Sequence, residues 1–223
     1  MLILGIDTSQ SVCHLALVED GAVVGQCGSM TGRYTEGLLT EIDELFASAS
    51  RKLSELGAIA VCLGPGSFTG VRNSLATAQG IAFARNLPIV GISSTMLYGW
   101  LTLPSDSEYQ VAIPASATDC YTSTFRFSGM ANCRNRILLS ASELSVCLLT
   151  TINPEALINV GDSESPNSAG HPGVVAGWIA ENHLNSPLES AHRHVFSAVN
   201  GLSLAPLYAK GVNAMTIEER ARR

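Results

Sequence analysis

The chain opens with largely apolar runs of strand length that are separated by short polar turns. Leu2–Ile6 and Val12–Val18 are two such runs, and Ala22–Gly25 is a third. Asp20-Gly21 lies between the last two runs, and this dipeptide between strand-like segments is a strong hairpin signal. The pattern therefore predicts that the protein begins with adjacent antiparallel strands, three in all.

Helical spacing replaces strand spacing in two later segments, with a predicted strand at residues 58–63 between them. In the first, roughly residues 35–50, the apolar positions recur on one helical face: Leu38, Leu39, Ile42, Leu45, Phe46 and Ala49. The second, residues 71–85, pairs an apolar stripe with a stripe of small residues: Asn73, Ala76, Thr77, Gly80 and Ala84. Small residues let another helix approach closely, which in soluble proteins usually means packing within one chain.

A polar stretch around residues 103–110 interrupts the apolar pattern and predicts a domain boundary. We expect a first lobe at residues 1–105 and a second, smaller lobe at 106–223, with C-terminal residues able to pack back on the first. Strands are predicted at 110–113, 120–127 and 157–162, and a helix at 174–182. Strands alternating with helices in both parts indicate an α/β protein with mixed sheets flanked by helices.

The most informative segment is the glycine-rich run Leu63–Arg72, which joins the predicted strand to the second helix. Its three glycines, Gly64, Gly66 and Gly70, permit backbone angles that other residues avoid. Ser67 or Thr69 can accept a hydrogen bond from the first free amides of the helix, and Arg72 adds charge or holds the loop. Two interpretations stay open: a tight corner without ligand, or an anion site at the helix N-terminus.

Composition narrows the classes of function. The 223 residues are 46% hydrophobic and 14% charged, which is typical of a dense globular protein with some apolar surface for a partner. The net charge of −6 disfavours unaided binding to nucleic acid. The six cysteines form no CxxC pair, the N-terminus lacks a basic leader, and no apolar run reaches membrane-spanning length. We therefore expect a cytoplasmic protein that does not enter membranes.

Two motifs carry a resemblance to known proteins. Ile3–Ser9 resembles the first phosphate loop of actin-fold ATPases, and Gly64–Arg72 resembles the signature of the bacterial TsaB family. Arg33–Leu39 and Pro206–Tyr208 are similar to further motifs of that family. The resemblance covers most of the N-terminal half and implies an actin-like (ribonuclease H-like) two-lobed fold.

The resemblance also implies a function. TsaB-like proteins are non-catalytic partners of the enzyme TsaD and, with TsaE and a TsaC-type enzyme, help make threonylcarbamoyladenosine beside the tRNA anticodon. They dock through helices of the first lobe and form homodimers through the same face, which here maps to Leu38, Leu39, Ile42, Phe46 and the small-residue stripe. We expect this chain alone to bind no cofactor, with ATP and metal in the partner or at a shared interface, and to meet tRNA only through the complex.

Catalysis by the chain alone is the alternative. Asp7 either organises magnesium near phosphates or caps its own turn with Thr8 and Ser9, and the second interpretation is favoured. A stand-alone ATPase or phosphotransferase would use Asp7 with Gly64–Gly70. A glycoprotease-like metallopeptidase is less favoured, because no two histidines have the spacing of helix-borne metal ligands, and His192 and His194 are predicted to be a surface pair. We expect no catalytic residue and no metal site.

Overall fold

The structure is a computed structural model that describes residues 1–29, 37–103, 105–115, 118–131, 133–148, 170–185, 194–199 and 204–207. The motif residues at 33–36, the predicted strand at 157–162, His192 and Tyr208 lie outside the described residues.

Two sheets and four helices make up the described part of the chain. The first sheet contains β1 (Leu2–Asp7), β2 (Cys13–Glu19), β3 (Ala22–Ser29), β4 (Leu56–Cys62), β5 (Pro88–Ile92) and β10 (Val195–Val199). The second contains β6 (Glu108–Pro114), β7 (Asp119–Ser128), β8 (Ile137–Ala141) and β9 (Ser145–Leu148). The helices are α1 (Leu38–Ser48), α2 (Phe68–Arg85), α3 (Ser94–Thr102) and α4 (Pro172–Asn185), with a 3₁₀ turn at Leu53–Glu55.

The first sheet is mixed, as predicted, and its strand order is β10-β5-β4-β1-β2-β3. The opening three-stranded antiparallel segment is confirmed, with Asp20 and Gly21 at the hairpin between β2 and β3. Both turn residues have positive φ, 48° and 79°, which is the conformation that an Asp-Gly hairpin turn requires. β4 then pairs parallel to β1 and to β5, so the helices α1 and α2 are crossover connections.

The second sheet is antiparallel and centres on β7. β6 pairs with one edge of β7, while β8 and β9 pair with it at residues 125–128 and 119–122. Ser142, between β8 and β9, stays attached to β7 because its amide donates to the Thr124 carbonyl at 2.8 Å. The predicted strands at 110–113 and 120–127 are therefore confirmed, and β8 and β9 extend the sheet beyond them.

The core has two parts, one on each face of the first sheet. Leu4 and Ile6 of β1 pack with α1 and α2, whereas Ile3 packs with α3, α4 and the second sheet. Successive side chains of a strand point to opposite faces, so β1 contributes side chains to both parts of the core. The layers are therefore α1 and α2, the first sheet, then α3 and α4, then the second sheet.

Helix α4 lies directly on β1 because glycines meet at the crossing. A Cβ atom added to Gly5 would lie 1.9 Å from the Gly173 carbonyl oxygen, so only glycine permits this approach. The predicted helix at 174–182 is confirmed in a longer form. Both α4 and β10 come from beyond residue 106 and contact the first sheet, while the domain boundary near 105 stays a prediction.

His194 corrects the prediction of a surface histidine pair. Its side chain is fully buried, its Nδ1 lies 2.8 Å from the Ser93 hydroxyl, and its Nε2 lies 2.6 Å from the Ser142 carbonyl oxygen. A neutral ring with its proton on Nε2 satisfies both contacts, since it donates to the carbonyl and accepts from the hydroxyl. His194 therefore links the end of β5 to the second sheet.

A second buried histidine contact holds the start of α4. His171 and His14 meet edge to face with ring centroids 5.0 Å apart, and Nε2 of His171 lies 2.9 Å from the Cys27 carbonyl oxygen. Burial, together with the neighbouring His14, lowers the pKa of His171 to about 4 from an ordinary value of 6.5. The folded chain therefore holds this ring neutral under conditions in which the unfolded chain protonates it.

Stability is expected to fall as the pH is lowered from 6.5 toward 4. Over that range the unfolded chain binds a proton at His171 that the folded chain does not, which costs about 2–3 kcal/mol of unfolding free energy by pH 4. His171→Gln keeps a donor for the Cys27 carbonyl and should flatten this dependence. Urea titrations at several pH values measure it, and an unmodified chain equally stable at pH 7 and 4.5 would contradict the prediction.

Candidate functional site

The segment after β1 and the glycine-rich loop before α2 are in direct contact and form one corner of the fold. The Ser67 amide donates to the Ser9 carbonyl oxygen at 2.7 Å. The Thr8 hydroxyl donates to the Gly70 carbonyl oxygen at 2.8 Å, and this bond is buried. The two motifs that the sequence singled out are therefore bonded to each other, although about sixty residues separate them.

Two glycines make this contact possible. A Cβ atom on Gly66 would lie 2.2 Å from the Ser9 carbonyl oxygen, and one on Gly70 would lie 2.0 Å from the Thr8 carbonyl oxygen. Gly64 is needed for a different reason, because its φ of 87° is in the left-handed region. The space that these glycines leave is filled by the chain's own carbonyl groups, which are poor neighbours for a phosphate.

Ser67 is the N-cap of α2, which resolves the choice between it and Thr69. Its hydroxyl oxygen accepts a hydrogen bond from the Gly70 amide at 3.2 Å, whereas Thr69 is exposed. Arg72 is also exposed, and its guanidinium carbon lies 3.9 Å from the centre of the Phe68 ring. The start of α2 is therefore capped by its own loop.

Asp7 is fully buried beneath this corner, and both of its carboxylate oxygens accept hydrogen bonds. Oδ1 accepts from the Ser9 amide at 2.9 Å, and Oδ2 accepts from the Tyr98 hydroxyl at 2.7 Å. Burial and the charge of Asp7 raise the pKa of Tyr98 well above its ordinary value, so its hydroxyl keeps the proton that it donates. Asp7 thus caps its own turn, as the favoured interpretation has it.

These contacts do not fit a site for magnesium and nucleotide. Magnesium needs carboxylate oxygens and bound waters around it, but Asp7 is occupied by protein donors and has no exposed surface. The described ranges also contain no group of three histidine, cysteine or acidic side chains placed to hold a metal ion. We therefore derive no catalytic step at this corner.

Tyr98 was missed by the sequence analysis, although a signal for its position exists. Ser93 caps α3, because its hydroxyl oxygen accepts a hydrogen bond from the Met96 amide at 3.1 Å. Tyr98 then lies one turn inside a helix that is buried on all sides. A phenol in such a helix needs a polar partner, and the carboxylate at the end of β1 supplies it.

The residues predicted to face a partner divide into two groups. Leu38, Ile42 and Phe46 are buried in the chain's own core, so that part of the prediction is wrong. An amphipathic helix buries its apolar stripe against the sheet beside it, and α1 does so. The remaining residues are accessible: Leu39, Asn73, Ala76, Thr77, Gly80 and Ala84.

Most of the accessible residues line a groove between α1 and α2. Its volume is about 520 Å³, and its walls are almost entirely apolar: Leu39, Leu53, Ala76, Thr77, Gly80, Ile81, Ala84 and Arg85. Leu39 is 60% exposed, and a Cβ added at Gly80 would lie in open space. We call this surface the α1–α2 groove. No helix among the described residues is long and apolar enough to cross a bilayer.

Leu53, Ile81 and Arg85 belong to the α1–α2 groove but were not predicted. Ile81 and Arg85 continue the Thr77 row at intervals of four residues, so the helical period alone could have found them. Leu53 lies in the 3₁₀ turn, which has no sequence periodicity of its own.

Known structures share this fold. YeaZ from Pseudomonas aeruginosa superposes with a TM-score of 0.66 over 93% of this chain and 99% of its own, at 20% identity. A P. aeruginosa protein described as similar to peptidase YEAZ gives a TM-score of 0.67. The protein is thus of the actin-like (ribonuclease H-like) class, an α/β fold with flanking helices in which the first sheet is mixed, whereas the second is antiparallel rather than mixed as predicted.

Sequence comparison finds a family model and curated relatives that match part of the chain. A family model for TsaD, tRNA N6-adenosine threonylcarbamoyltransferase, matches residues 30–117. The tRNA threonylcarbamoyladenosine biosynthesis protein TsaB of Escherichia coli is 36% identical over 43% of this chain and 42% of its own length. TsaB of Haemophilus influenzae is 34% identical over 55% of this chain and 53% of its own. The chain thus spans about half the length of these curated relatives.

The corner is expected to tolerate no side chain at Gly70, whereas the groove tolerates one at Gly80. Gly70→Ala should lower the unfolding free energy by at least about 2 kcal/mol, because its methyl group would overlap the Thr8 carbonyl. Gly80→Ala lies in the same helix and should raise it by about 0.5–1 kcal/mol. Urea denaturation of both variants measures the difference, and equal stabilities would contradict the described packing.

Proposed function

We propose that this chain is a non-catalytic scaffold subunit in threonylcarbamoyladenosine formation and binds a TsaD homologue through the α1–α2 groove. The observation that carries the proposal is the groove itself, an open apolar surface in a fold and sequence class that includes TsaB. Apolar surface of this kind in a soluble protein marks a place where another protein binds.

Helix α2 explains why this face suits a partner helix. Its apolar stripe of Val71, Leu75, Ala78 and Ala82 is buried against the sheet, which fixes the helix in place. Ala76, Gly80 and Ala84 then point outward without long side chains. A partner helix can approach the α2 backbone closely there and bury both walls of the groove without moving this chain.

The chemistry belongs elsewhere in the assembly. Asp7 is committed to hydrogen bonds within the chain, and the glycine-rich loop is closed by its own cap. ATP and the metal ion are accordingly assigned to the TsaD homologue or to its shared interface, with a TsaE homologue in the same complex. With a net charge of −6, this chain meets tRNA in the cytoplasm only through that complex.

A second copy of this chain is the competing occupant of the groove. A homodimer that uses the same face would cover the same residues, so the two assemblies exclude one another. In this proposal the complex with the TsaD homologue is the active form, and the homodimer is an inactive form in which the groove is already covered.

An arginine in the groove should weaken partner binding without unfolding the chain. Ala84→Arg places a charged side chain in the apolar groove and should weaken the complex with the cognate TsaD homologue at least about tenfold. Ala47→Arg, an exposed alanine of α1 outside the groove, is the matched control and should bind normally. Size-exclusion chromatography and titration calorimetry measure both.

The same two variants belong in a reconstituted assay of threonylcarbamoyladenosine formation. Product formation should need this chain, persist with Ala47→Arg and fail with Ala84→Arg. Failure of the folded chain to bind the TsaD homologue would overturn the proposal. Hydrolysis of ATP by the isolated chain, lost in Asp7→Ala, would instead establish the stand-alone ATPase.

A further inference from the structure

Two cysteines of the second sheet face each other across neighbouring strands. Cys120 of β7 is paired with Cys147 of β9 in an antiparallel register that also pairs Tyr121 with Val146. Their sulfur atoms are 3.4 Å apart, and both are free thiols. The two residues are twenty-seven positions apart in sequence, so the sheet alone brings them together.

The backbone spacing suits a disulfide. Directly opposed residues of antiparallel strands have Cα atoms about 4.5–5.5 Å apart. A disulfide bridges Cα atoms about 4.4–6.8 Å apart and needs the sulfur atoms to close to about 2.05 Å. A small rotation of the Cys147 side chain therefore suffices, and the strand pairing can stay in place.

The pair lies on the side of the second sheet that faces away from the core. Phe125 and Phe127 of β7 pack into the core, and Cys120 is on the opposite face because side chains alternate along a strand. Cys120 is buried, whereas Cys147 is partly exposed. Cys147 is consequently the thiol that a small reagent reaches first.

We propose that Cys120 and Cys147 are a thiol pair that low-molecular-weight disulfides oxidise to an intramolecular disulfide, which fastens β9 to β7. This redox site is independent of the α1–α2 groove. It differs from Cys13 and Cys62, whose side chains lie in the hydrophobic clusters on the two faces of the first sheet.

The reaction proceeds by two thiol–disulfide exchanges. The Cys147 thiolate attacks the small disulfide, forms a mixed disulfide and releases one small thiolate. The Cys120 thiol then loses its proton and attacks the Cys147 sulfur, which expels the second small thiolate. Two protein thiols are oxidised, and one small disulfide is reduced to two thiols.

The second exchange should be the slow one. Burial and the adjacent Cys147 thiol raise the pKa of Cys120 to about 11 from an ordinary value of 9.0. Little Cys120 thiolate is present at neutral pH, which slows the attack on the Cys147 sulfur.

Peptide mapping after treatment with oxidised glutathione tests the proposal. The reduced chain is incubated with the reagent, the remaining thiols are alkylated in denaturant, and tryptic peptides are analysed without reduction. The peptide that ends at Arg126 should be joined to the peptide that begins at Ile137, and dithiothreitol should separate them. Cys133→Ser, the matched control, should leave this link intact, and Cys147→Ser should abolish it.

Thermal unfolding of the oxidised chain supplies a second measurement. Closure of this loop should raise the melting temperature by about 5–10 °C in the unmodified chain and not in Cys147→Ser. A lower melting temperature on oxidation would overturn the proposal, because it would mean that the bond displaces β9. A stable glutathione adduct on Cys147 with an alkylated Cys120, or a link between two copies of the chain, would also overturn it.

Discussion

Close contact between two backbone segments is the constraint on which the rest of this structure depends. Where the segment after β1 meets the loop before α2, the carbonyl oxygens of Thr8 and Ser9 occupy the space that side chains at Gly70 and Gly66 would need. The Ser67 amide and the Thr8 hydroxyl complete the contact with hydrogen bonds. Because interiors are close-packed, a contact between backbones cannot relax as one between flexible side chains can. The direction in which α2 leaves the sheet is set at this point.

The fixed start of α2 determines which of its faces is inside. Its apolar stripe lies on β4 and β5, and its small residues are left on the outside beside α1. The same corner encloses Asp7, which the Ser9 amide and the Tyr98 hydroxyl hold from both sides. The segment that resembles a phosphate loop therefore has a structural role, because it holds the end of β1 against the start of α2. What remains available to other molecules is an apolar surface, and this is the physical basis for proposing a binding subunit.

Local patterns in the sequence predicted much of this arrangement, and the failures have physical reasons. Alternation and the Asp-Gly turn predicted the opening hairpin, and the apolar stripe of α2 predicted its buried face. The apolar stripe of α1 was misassigned, since Ile42 looks the same whether the sheet or a partner covers it. Pairing between distant segments left no local signal: β10 joins β5 from about a hundred residues away, and Tyr98 reaches Asp7 over a similar separation. His194 is buried for the same reason, because the pairing of β10, which begins directly after it, places it between the two sheets.

Native-state hydrogen exchange at the Ser9 and Ser67 amides tests the central claim most directly. Both amides donate within the corner, so the account predicts that they exchange as slowly as the amides of β1 and β4. It also predicts that ATP with Mg²⁺ leaves their rates unchanged. Fast exchange at these two amides in the isolated chain, followed by protection when the nucleotide is added, would show that the corner is a phosphate site and would contradict the account.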